Sequence, residues 1–486
     1  MPYAPAPFVT TSVITPTTKF SEYPAEINKM MLDSGSYLAA QVALLSAQYS
    51  SNTGYTANVL DGKFAERDAA IALKQTASLL VGAIGNINSP LLDMPMLNSS
   101  TMKSGVGSAT FTRASTATYI DRYGVLKTAA INEPRFEKEG YLNEGASTNL
   151  LTYSEQFDHA SWSKGSITIV ANTTETLDPY GTNLAAKFSE TAVASDHPIY
   201  KVYSFVAGTS YTQSMFAKVG TRTRIELNFQ SISFTANQRV DFDLVSKTGA
   251  VIQGTPTYRI EELANGWFRL SITATATITA LSGFVFGMLN DSGAISYLGD
   301  ITKYMYIFGA KLEASPFASS YIPTVASAVT RAGDILSVSY LNNTAGCNNR
   351  FSEETLMLDI VRKPQIGIAF IFTTLFSGTA YRWYASALTI VAQYGNDTVG
   401  GSQLPSNTAP YVKYRIALSH DKSGITKVYV NGVLTATGTS GNTNSGDVIA
   451  GLYIGHGGNG SGQCSGHYSN FRIYDKALTN QEVALA

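Results

Sequence analysis

The sequence has few charged residues and almost no net charge. Asp, Glu, Lys and Arg make up 14% of the 486 residues, and 34 Lys and Arg nearly balance 35 Asp and Glu, which leaves a net charge of −1. Binding to nucleic acid or to an anionic membrane surface depends on an excess of basic side chains. The composition therefore predicts no nucleic-acid partner.

Long apolar runs are also missing, and cysteine is scarce. No stretch approaches the ~20 apolar residues of a membrane-spanning helix, so we expect no membrane insertion. The first residues, MPYAPAPFVTTSVITP, have neither the basic start nor the apolar run of a secretory signal peptide. The two cysteines, Cys347 and Cys464, are far apart in sequence, and we expect two free thiols.

Glycine and tyrosine are abundant instead. The 41 glycines and 28 tyrosines, together with many Ser and Thr, are typical of short strands joined by tight turns. A chain of 486 residues exceeds what one hydrophobic core organises and suggests about three domains.

The N-terminal part divides into three segments. Residues 1–22 are rich in Pro and Thr and predict an extended arm, with a disordered tail as the alternative. Residues 23–86 change to helical spacing, with a seven-residue repeat such as Phe64 to Ile71. Association with copies of itself would cover this apolar stripe; a monomeric helical hairpin is the alternative. Residues 87–104, rich in Pro, Asn and Ser, form a predicted linker.

Residues 105–323 contain several short segments in which polar and apolar side chains alternate. Residues 239–244, RVDFDL, show the pattern of a half-buried antiparallel strand. Asn265-Gly266 is a turn signal before a strand over residues 267–272. The spacing of these segments favours a two-sheet sandwich. Residues 324–335 then form a predicted connector.

Residues 336–486 predict a second sandwich. Residues 427–430, KVYV, lead into Asn431-Gly432, which is the signal of a type I′ hairpin. The strand LYIG follows at residues 452–455, and FRIYDKAL at residues 471–478 predicts a closing strand before a short helix.

Three long stretches resemble a protein family. FTRASTATYIDRYGVLKTAAINEPRF at residues 111–136, GYLNEGASTNLLTYSEQFDHASWSK at 140–164 and FGAKLEASPFASSYIPTVASAVTRAGD at 308–334 resemble segments of bacteriophage tail-fibre, tail-appendage and head-fibre proteins. In those proteins the segments bound a jelly-roll module similar to carbohydrate-binding modules. The C-terminal series VYVNG, LYIG and FRIYDKAL is similar to laminin-G-like, concanavalin A-like sandwiches.

The residues and the resemblance together imply a mainly β fold. We expect two antiparallel β-sandwich domains of jelly-roll type, preceded by the extended arm and an α-helical oligomerisation segment. The resemblance implies a virion protein of a tailed bacteriophage, made in the host cytoplasm, that attaches through its N-terminal region to portal, tail or capsid proteins. It would recognise host surface polysaccharide. The alternatives are a capsid-attached head fibre or decoration protein without a receptor role, and a secreted bacterial lectin.

Metal and cofactor sites are not predicted. Residues 455–460, GHGGNG, match G-x-G-x-x-G, but the SGQCSG that follows does not begin the helix that a dinucleotide site needs. His456, Cys464 and His467 fit no common zinc spacing. Some concanavalin A-like domains bind calcium, but no oxygen-rich loop forms around the candidate ligands, which are Asp421, Asn470 and Asp475.

An enzyme is not predicted either. Asp241 and Asp243 fall on one face of a predicted strand and Glu261 and Glu262 are adjacent, but the wet face of a sheet accounts for both pairs. No catalytic triad is recognisable with five histidines.

Aromatic side chains provide the candidate binding residues. Sugar rings stack on exposed aromatic faces, and residues 381–384, YRWY, are denser in aromatics than a core strand needs. Trp267 lies in a strand pattern that favours a core position. The predicted glycan-binding residues are Trp162, Tyr381, Trp383 and Tyr384.

We predict that the chain is a homotrimer, because the apolar stripe of residues 60–84 needs a partner and fibre proteins of the family it resembles are trimeric. Light scattering on the purified chain checks this prediction. A monomer at micromolar concentration would contradict it.

Overall fold

The computed structural model describes residues 90, 92–99, 107–340, 353–364, 369–376, 380–385, 389–394, 397–403, 410–439, 449–457 and 462–486. These residues form antiparallel sheets with little helix, which confirms the mainly β fold class. The predicted arm, the helical segment and Cys347 lie outside the described residues. No helix among the described residues is long and apolar enough to cross a membrane.

A leading segment of short strands precedes the first sandwich. Its strands are β1 (Leu92–Met94), β2 (Gly107–Thr112), β3 (Ala117–Ile120), β4 (Leu126–Ala129), β5 (Arg135–Glu137), β6 (Gly140–Asn143) and β7 (Ser147–Asn149).

The middle sandwich is built from the next thirteen strands, which pack as two sheets in the orders β16-β17-β12-β20-β10-β9 and β15-β14-β13-β18-β11-β19, with β8 beside β11. Their inward side chains form one core, rich in Phe, Ile and Leu. The strands are β8 (Ser163–Lys164), β9 (Ile167–Val170), β10 (Ala186–Glu190), β11 (Ala194–Phe205), β12 (Ser210–Lys218), β13 (Arg224–Phe229), β14 (Gln238–Asp243), β15 (Thr248–Gln253), β16 (Thr257–Glu262), β17 (Trp267–Thr275), β18 (Ala280–Leu289), β19 (Ser296–Leu298) and β20 (Tyr304–Glu313), with a 3₁₀ turn at Ala264–Gly266.

The C-terminal sandwich follows. Its strands are β21 (Val329–Arg331), which pairs with β7, then β22 (Ile335–Tyr340), β23 (Glu354–Arg362), β24 (Ala369–Phe376), β25 (Ala380–Ala385), β26 (Thr389–Tyr394), β27 (Asp397–Gln403), β28 (Lys413–His420), β29 (Ile425–Val430), β30 (Val433–Thr439), β31 (Ile449–Ile454) and β32 (Gly466–Tyr474), before α1 (Asn480–Leu485). Asn431 and Gly432 both have positive φ, of 51° and 79°, which confirms the predicted type I′ hairpin.

The leading segment completes the C-terminal sandwich. β2 pairs with β22, while β1 and β6 both pair with β32. Leu92 and Met94 of β1, Phe111 of β2 and Tyr141 of β6 lie in the same core as strands β23, β28 and β32. Part of the predicted linker at 87–104 is thus a core strand, and the strand pairing crosses the boundaries predicted at residues 105 and 323.

One turn type recurs in four of the connections between strands. In each case an Asp or Asn side-chain oxygen accepts the backbone N–H groups two and four residues later, at 2.7–3.2 Å. The third residue after it is a glycine with φ between 77° and 86°, a conformation that other residues rarely adopt. These turns begin at Asp121, Asp178, Asn290 and Asp421.

A buried ionic network joins the leading segment, the connector and the C-terminal sandwich. Asp334 accepts hydrogen bonds from Arg113 and Arg135, and Glu144 accepts from Arg135 and Lys363. All of these groups are almost inaccessible to water. Breaking one such pair leaves an uncompensated buried charge, which costs about 3–5 kcal/mol.

We therefore expect a fragment of residues 146–332 to be soluble and to melt cooperatively, because it keeps the whole middle sandwich. A fragment of residues 333–486 should aggregate, since it lacks β1, β2, β6 and Glu144. Circular dichroism melting of both fragments, with residues 90–486 as the control, checks this. A cooperative transition in the fragment of residues 333–486 would contradict it.

Candidate functional site

The outer face of one sheet in the middle sandwich carries polar side chains that are buried. On β13, Ile225, Leu227 and Phe229 point into the core, so Glu226 and Asn228 between them point outward. β14 lies alongside, with Arg239 opposite Asn228 and Asp241 opposite Glu226. These four outward residues, Glu226, Asn228, Arg239 and Asp241, define the polar face. Glu226, Asn228 and Asp241 are all buried.

Glycines of the neighbouring strand β18 make room for Glu226 and for Gln230, which lies two residues beyond Asn228. Gly287 of β18 stands opposite Glu226, and a Cβ at that position would lie 2.6 Å from Glu226 Oε1. A Cβ at Gly283 would lie 2.2 Å from the side-chain oxygen of Gln230. Both separations are shorter than real Cβ contacts, so a larger residue at either position would displace the side chain that lies flat on the sheet.

The charges on the polar face are only partly paired. Arg239 donates to both oxygens of Asp241, at 2.7 and 2.8 Å. Its Nε also lies 2.9 Å from Glu226 Oε2, but the N–H is directed at Asp241 and Glu226 Oε2 accepts no hydrogen bond. Burial raises the pKa of Glu226 to about 7, although attraction to Arg239 opposes this rise. Burial also raises the pKa of Asp241, against the effect of its bonds to Arg239.

Three residues of the polar face, Glu226, Asn228 and Arg239, form the floor of a cleft of about 490 Å³. Two acceptor atoms in it, Glu226 Oε2 and Asn228 Oδ1, are buried and have no hydrogen-bond partner. Buried polar atoms without a partner cost free energy that a hydroxyl-bearing ligand can recover. Tyr200, Ile232 and Ile295 add apolar surface to the walls. The cleft therefore combines hydrogen-bonding groups with apolar contact area.

Trp162, predicted as a stacking platform, lies instead in the core of the middle sandwich. Its side chain is 2% exposed and packs against Phe157 and Phe286. Its indole N–H donates to the Tyr153 carbonyl at 2.9 Å, and Lys201 Nζ lies 4.5 Å from the ring centre. An enclosed ring has no face to offer to a sugar, so the structure gives Trp162 a packing role. Trp267 is also fully buried, as its strand pattern predicts.

The other three predicted residues, Tyr381, Trp383 and Tyr384, fall in β25, between β24 and β26. Trp383 is in register with Phe372 and with Ala392. The structure describes the backbone of β25 but not its side chains. A stacking role for these three residues stays a prediction.

Sequence reasoning found only part of the polar face. The alternation at residues 239–244 placed Asp241 and Asp243 on one outward face correctly. Arg224-Ile225-Glu226-Leu227-Asn228 carries the same alternation, and that signal could have marked β13 as well. What sequence could not supply is the pairing that sets Glu226 against Asp241 and over Gly287. No group of three or more His, Cys, Asp or Glu side chains in the described part of the chain is arranged to hold a metal ion.

Comparison with known families supports the C-terminal prediction. Residues 363–484 match the model of the concanavalin A-like lectin/glucanases superfamily. This confirms the concanavalin A-like character predicted for residues 336–486. A comparison with curated proteins returns no match.

Comparison with solved structures returns receptor-binding domains of botulinum neurotoxins. The receptor-binding domain of botulinum neurotoxin D shows 14% identity and a TM-score of 0.27 over 32% of this chain and 41% of that chain. The ligand-binding domain of serotype D, in complex with N-acetylneuraminic acid, shows 13% identity and a TM-score of 0.26 over 32% of this chain and 39% of that chain. The alignments thus span well under half of the toxin chains.

The raised pKa of Glu226 should make the stability of the folded protein depend on pH. A carboxyl whose pKa rises from 4.5 to about 7 on folding costs nothing below pH 4.5, where both states are protonated. Stability is then lost as the pH rises to about 7 and stays lost above it. We expect Glu226→Gln to leave stability unchanged at pH 4 and to raise it by about 1–3 kcal/mol at pH 8. Urea denaturation at the two pH values measures this.

Glu262→Gln is the matched control for this prediction. Glu262 is exposed and pairs with exposed Lys247 at 2.8 Å, so its substitution should change stability by less than about 1 kcal/mol at either pH. An equal effect of Glu226→Gln at both pH values would show that folding does not raise the pKa of Glu226.

Proposed function

We propose that this chain is a non-catalytic glycan-recognition protein, and that the polar face of the middle sandwich is a binding site for sugar hydroxyls. The observation that carries the proposal is a pair of buried acceptors that accept no hydrogen bond, on the floor of an open cleft. They are Asn228 Oδ1 and Glu226 Oε2, the second of which has only its ion-pair contact with Arg239. Sugar hydroxyls donate and accept hydrogen bonds, so they can pair with these acceptors and with Arg239. The match of residues 363–484 to a lectin-type superfamily supports the same class of function.

The arrangement of the carboxylates favours binding over hydrolysis. Glycosidic cleavage uses two carboxyl groups, one as the acid and the other as a base or nucleophile. The raised pKa of Glu226 would suit the acid. Asp241, however, has both oxygens engaged by Arg239, at 2.7 and 2.8 Å, and is not free for the second role.

We further propose that the protein is a structural fibre or appendage of a tailed bacteriophage. The motifs at residues 111–136, 140–164 and 308–334 support this proposal by their resemblance to such proteins. The N-terminal region would attach the chain to portal, tail or capsid proteins, and three copies would project the sandwiches towards the host surface. A capsid-attached head fibre or decoration protein without a receptor role is the alternative.

Weak single sites suit this arrangement. A sugar site of modest burial binds with Kd on the order of millimolar, about −4 kcal/mol. Repeated copies on one particle raise the overall avidity by roughly a hundredfold without new contacts. The aromatic cluster Tyr381, Trp383 and Tyr384 is a second proposed glycan contact in the same chain.

We predict that Asn228→Ala weakens glycan binding by roughly 3- to 10-fold, because one ligand hydrogen bond contributes about 0.5–1.5 kcal/mol. Ser204→Ala is the control, since Ser204 is exposed on the neighbouring β11 and lies outside the cleft. Binding of the full chain and both variants to an array of bacterial surface saccharides measures the effect. Excess wild-type chain should also block adsorption of the phage to its host.

Two outcomes would count against this assignment. If Asn228→Ala binds the array as well as the wild type, the polar face is not the site. If the wild type binds no saccharide and does not slow adsorption, the receptor role should be replaced by the structural alternative.

A further inference from the structure

A second and larger cleft lies where the middle and C-terminal sandwiches meet. It encloses about 890 Å³. The hairpin β3–β4 and strand β16 line one side, and the start of β28 lines the other. We call it the junction cleft. Its lining includes Arg259, Glu261, Arg269, Lys363 and Tyr411.

The region behind the junction cleft has more buried positive than negative charge. It contains six cations and three carboxylates, each less than 10% exposed, linked by ion pairs or by close electrostatic contact. Burying charges without counter-charges is costly, so such an excess is stable only if an anion neutralises it or a proton leaves. The groups are Arg113, Arg135, Arg269, Lys311, Arg331 and Lys363, with Glu144, Glu313 and Asp334.

Arg269 is one of these buried cations and also lines the junction cleft. Arg269 is only 6% exposed, yet no carboxylate is bonded to its guanidinium. One terminal nitrogen donates to the Ser319 carbonyl and lies 3.5 Å from Ser214 Oγ, while Nε has no hydrogen-bond partner. An arginine normally forms paired bonds to a carboxylate when it is buried.

The nearest carboxylate in the cleft is already engaged. Glu261 accepts a hydrogen bond from Arg259 at 2.7 Å. Burial would raise the pKa of Glu261, but the charges of Arg259, Arg269 and Lys363 hold it below its usual value. Glu261 therefore stays charged and still leaves Arg269 without a bonded anion.

An aromatic wall stands beside these charges. The Tyr411 ring packs on the Arg259 guanidinium, 3.9 Å from the ring centre, which links the two sandwiches at the cleft. The backbone of Tyr411 is held at φ 69° by a hydrogen bond from its N–H to the Arg362 carbonyl. A volume of about 890 Å³ beside this ring is far larger than a simple ion requires.

We propose that the junction cleft binds a carboxylate-bearing sugar, such as a uronic acid residue of an acidic polysaccharide. The carboxylate pairs with Arg269 and neutralises the buried positive charge, and the sugar ring lies against Tyr411. Because residues of both sandwiches contact the ligand, binding stabilises their association. The site is separate from the polar face and does not depend on it.

The test measures the melting temperature of the full chain with glucuronate, at constant ionic strength and pH. Ligand at about 50 times a millimolar Kd should raise Tm by roughly 2–3 °C. Glucose, which lacks the carboxylate, should give no shift, and acetate, which lacks the ring, should give a smaller one. A shift with glucose equal to that with glucuronate would overturn the proposal, and so would no shift with glucuronate.

Two variants locate the effect. Arg269→Gln should abolish the glucuronate shift. Because that variant removes a buried charge and could unfold the protein, Tyr411→Asn provides a second measurement: asparagine tolerates positive φ, so the backbone is kept while the ring is lost. Tyr411→Asn should reduce the Tm shift with glucuronate and leave the Tm shift with acetate unchanged. If its Tm shift with glucuronate equals that of the wild type, the sugar assignment is wrong.

Glu226→Gln separates this site from the polar face. It should keep the full glucuronate shift, because Glu226 does not line the junction cleft. If Glu226→Gln abolishes the shift while Tyr411→Asn does not, glucuronate binds at the polar face and the junction-cleft proposal fails while the proposed function stands.

Discussion

Charge pairing in a region closed to water holds the two sandwiches and the leading segment together. Burial alone would raise the pKa of Glu144, but attraction to Lys363, Arg135 and Arg331 holds it well below the usual range, so it stays charged. Its partners come from three separate parts of the chain, and Asp334 adds Arg113 to the same network. Since an isolated buried ion is several kcal/mol worse than a paired one, none of these parts can dock stably without the others.

This constraint explains why the leading segment belongs to the C-terminal sandwich. Glu144 follows β6 directly, and β6 must lie beside β32 for the carboxylate to reach Lys363. The same arrangement leaves β3 and β4 outside either sandwich, where they wall the junction cleft. Both clefts therefore follow from structural requirements: one from the junction of the sandwiches, the other from glycines that let Glu226 and Gln230 lie flat on a sheet.

Local patterns predicted much of the fold because they depend on neighbouring residues. Alternation at residues 239–244 and the turn at Asn431-Gly432 are visible in a few letters, and both form as expected. The candidate binding residues were predicted less well than the strands and turns. Trp162 shares its residue type with exposed stacking platforms, and its sequence neighbourhood does not reveal that Phe157 and Phe286 enclose it. Glu226 and Asn228 alternate with apolar residues as outward strand residues do, and nothing local shows that their acceptors are buried.

The sequence by itself determined the mainly β class, the chemistry of the Asn-Gly turn and the concanavalin A-like character of the C-terminal part. Strand periodicity, the residues of a positive-φ turn and a family's series of motifs can each be recognised from residues that are neighbours in sequence. Tertiary structure alone decided which strands pair across hundreds of residues, as β2 does with β22 and β1 with β32. It also decided that Arg269 lacks a bonded carboxylate and that Glu226 Oε2 accepts no hydrogen bond. Burial and pairing arise from distant residues brought together by packing, and no local pattern encodes them.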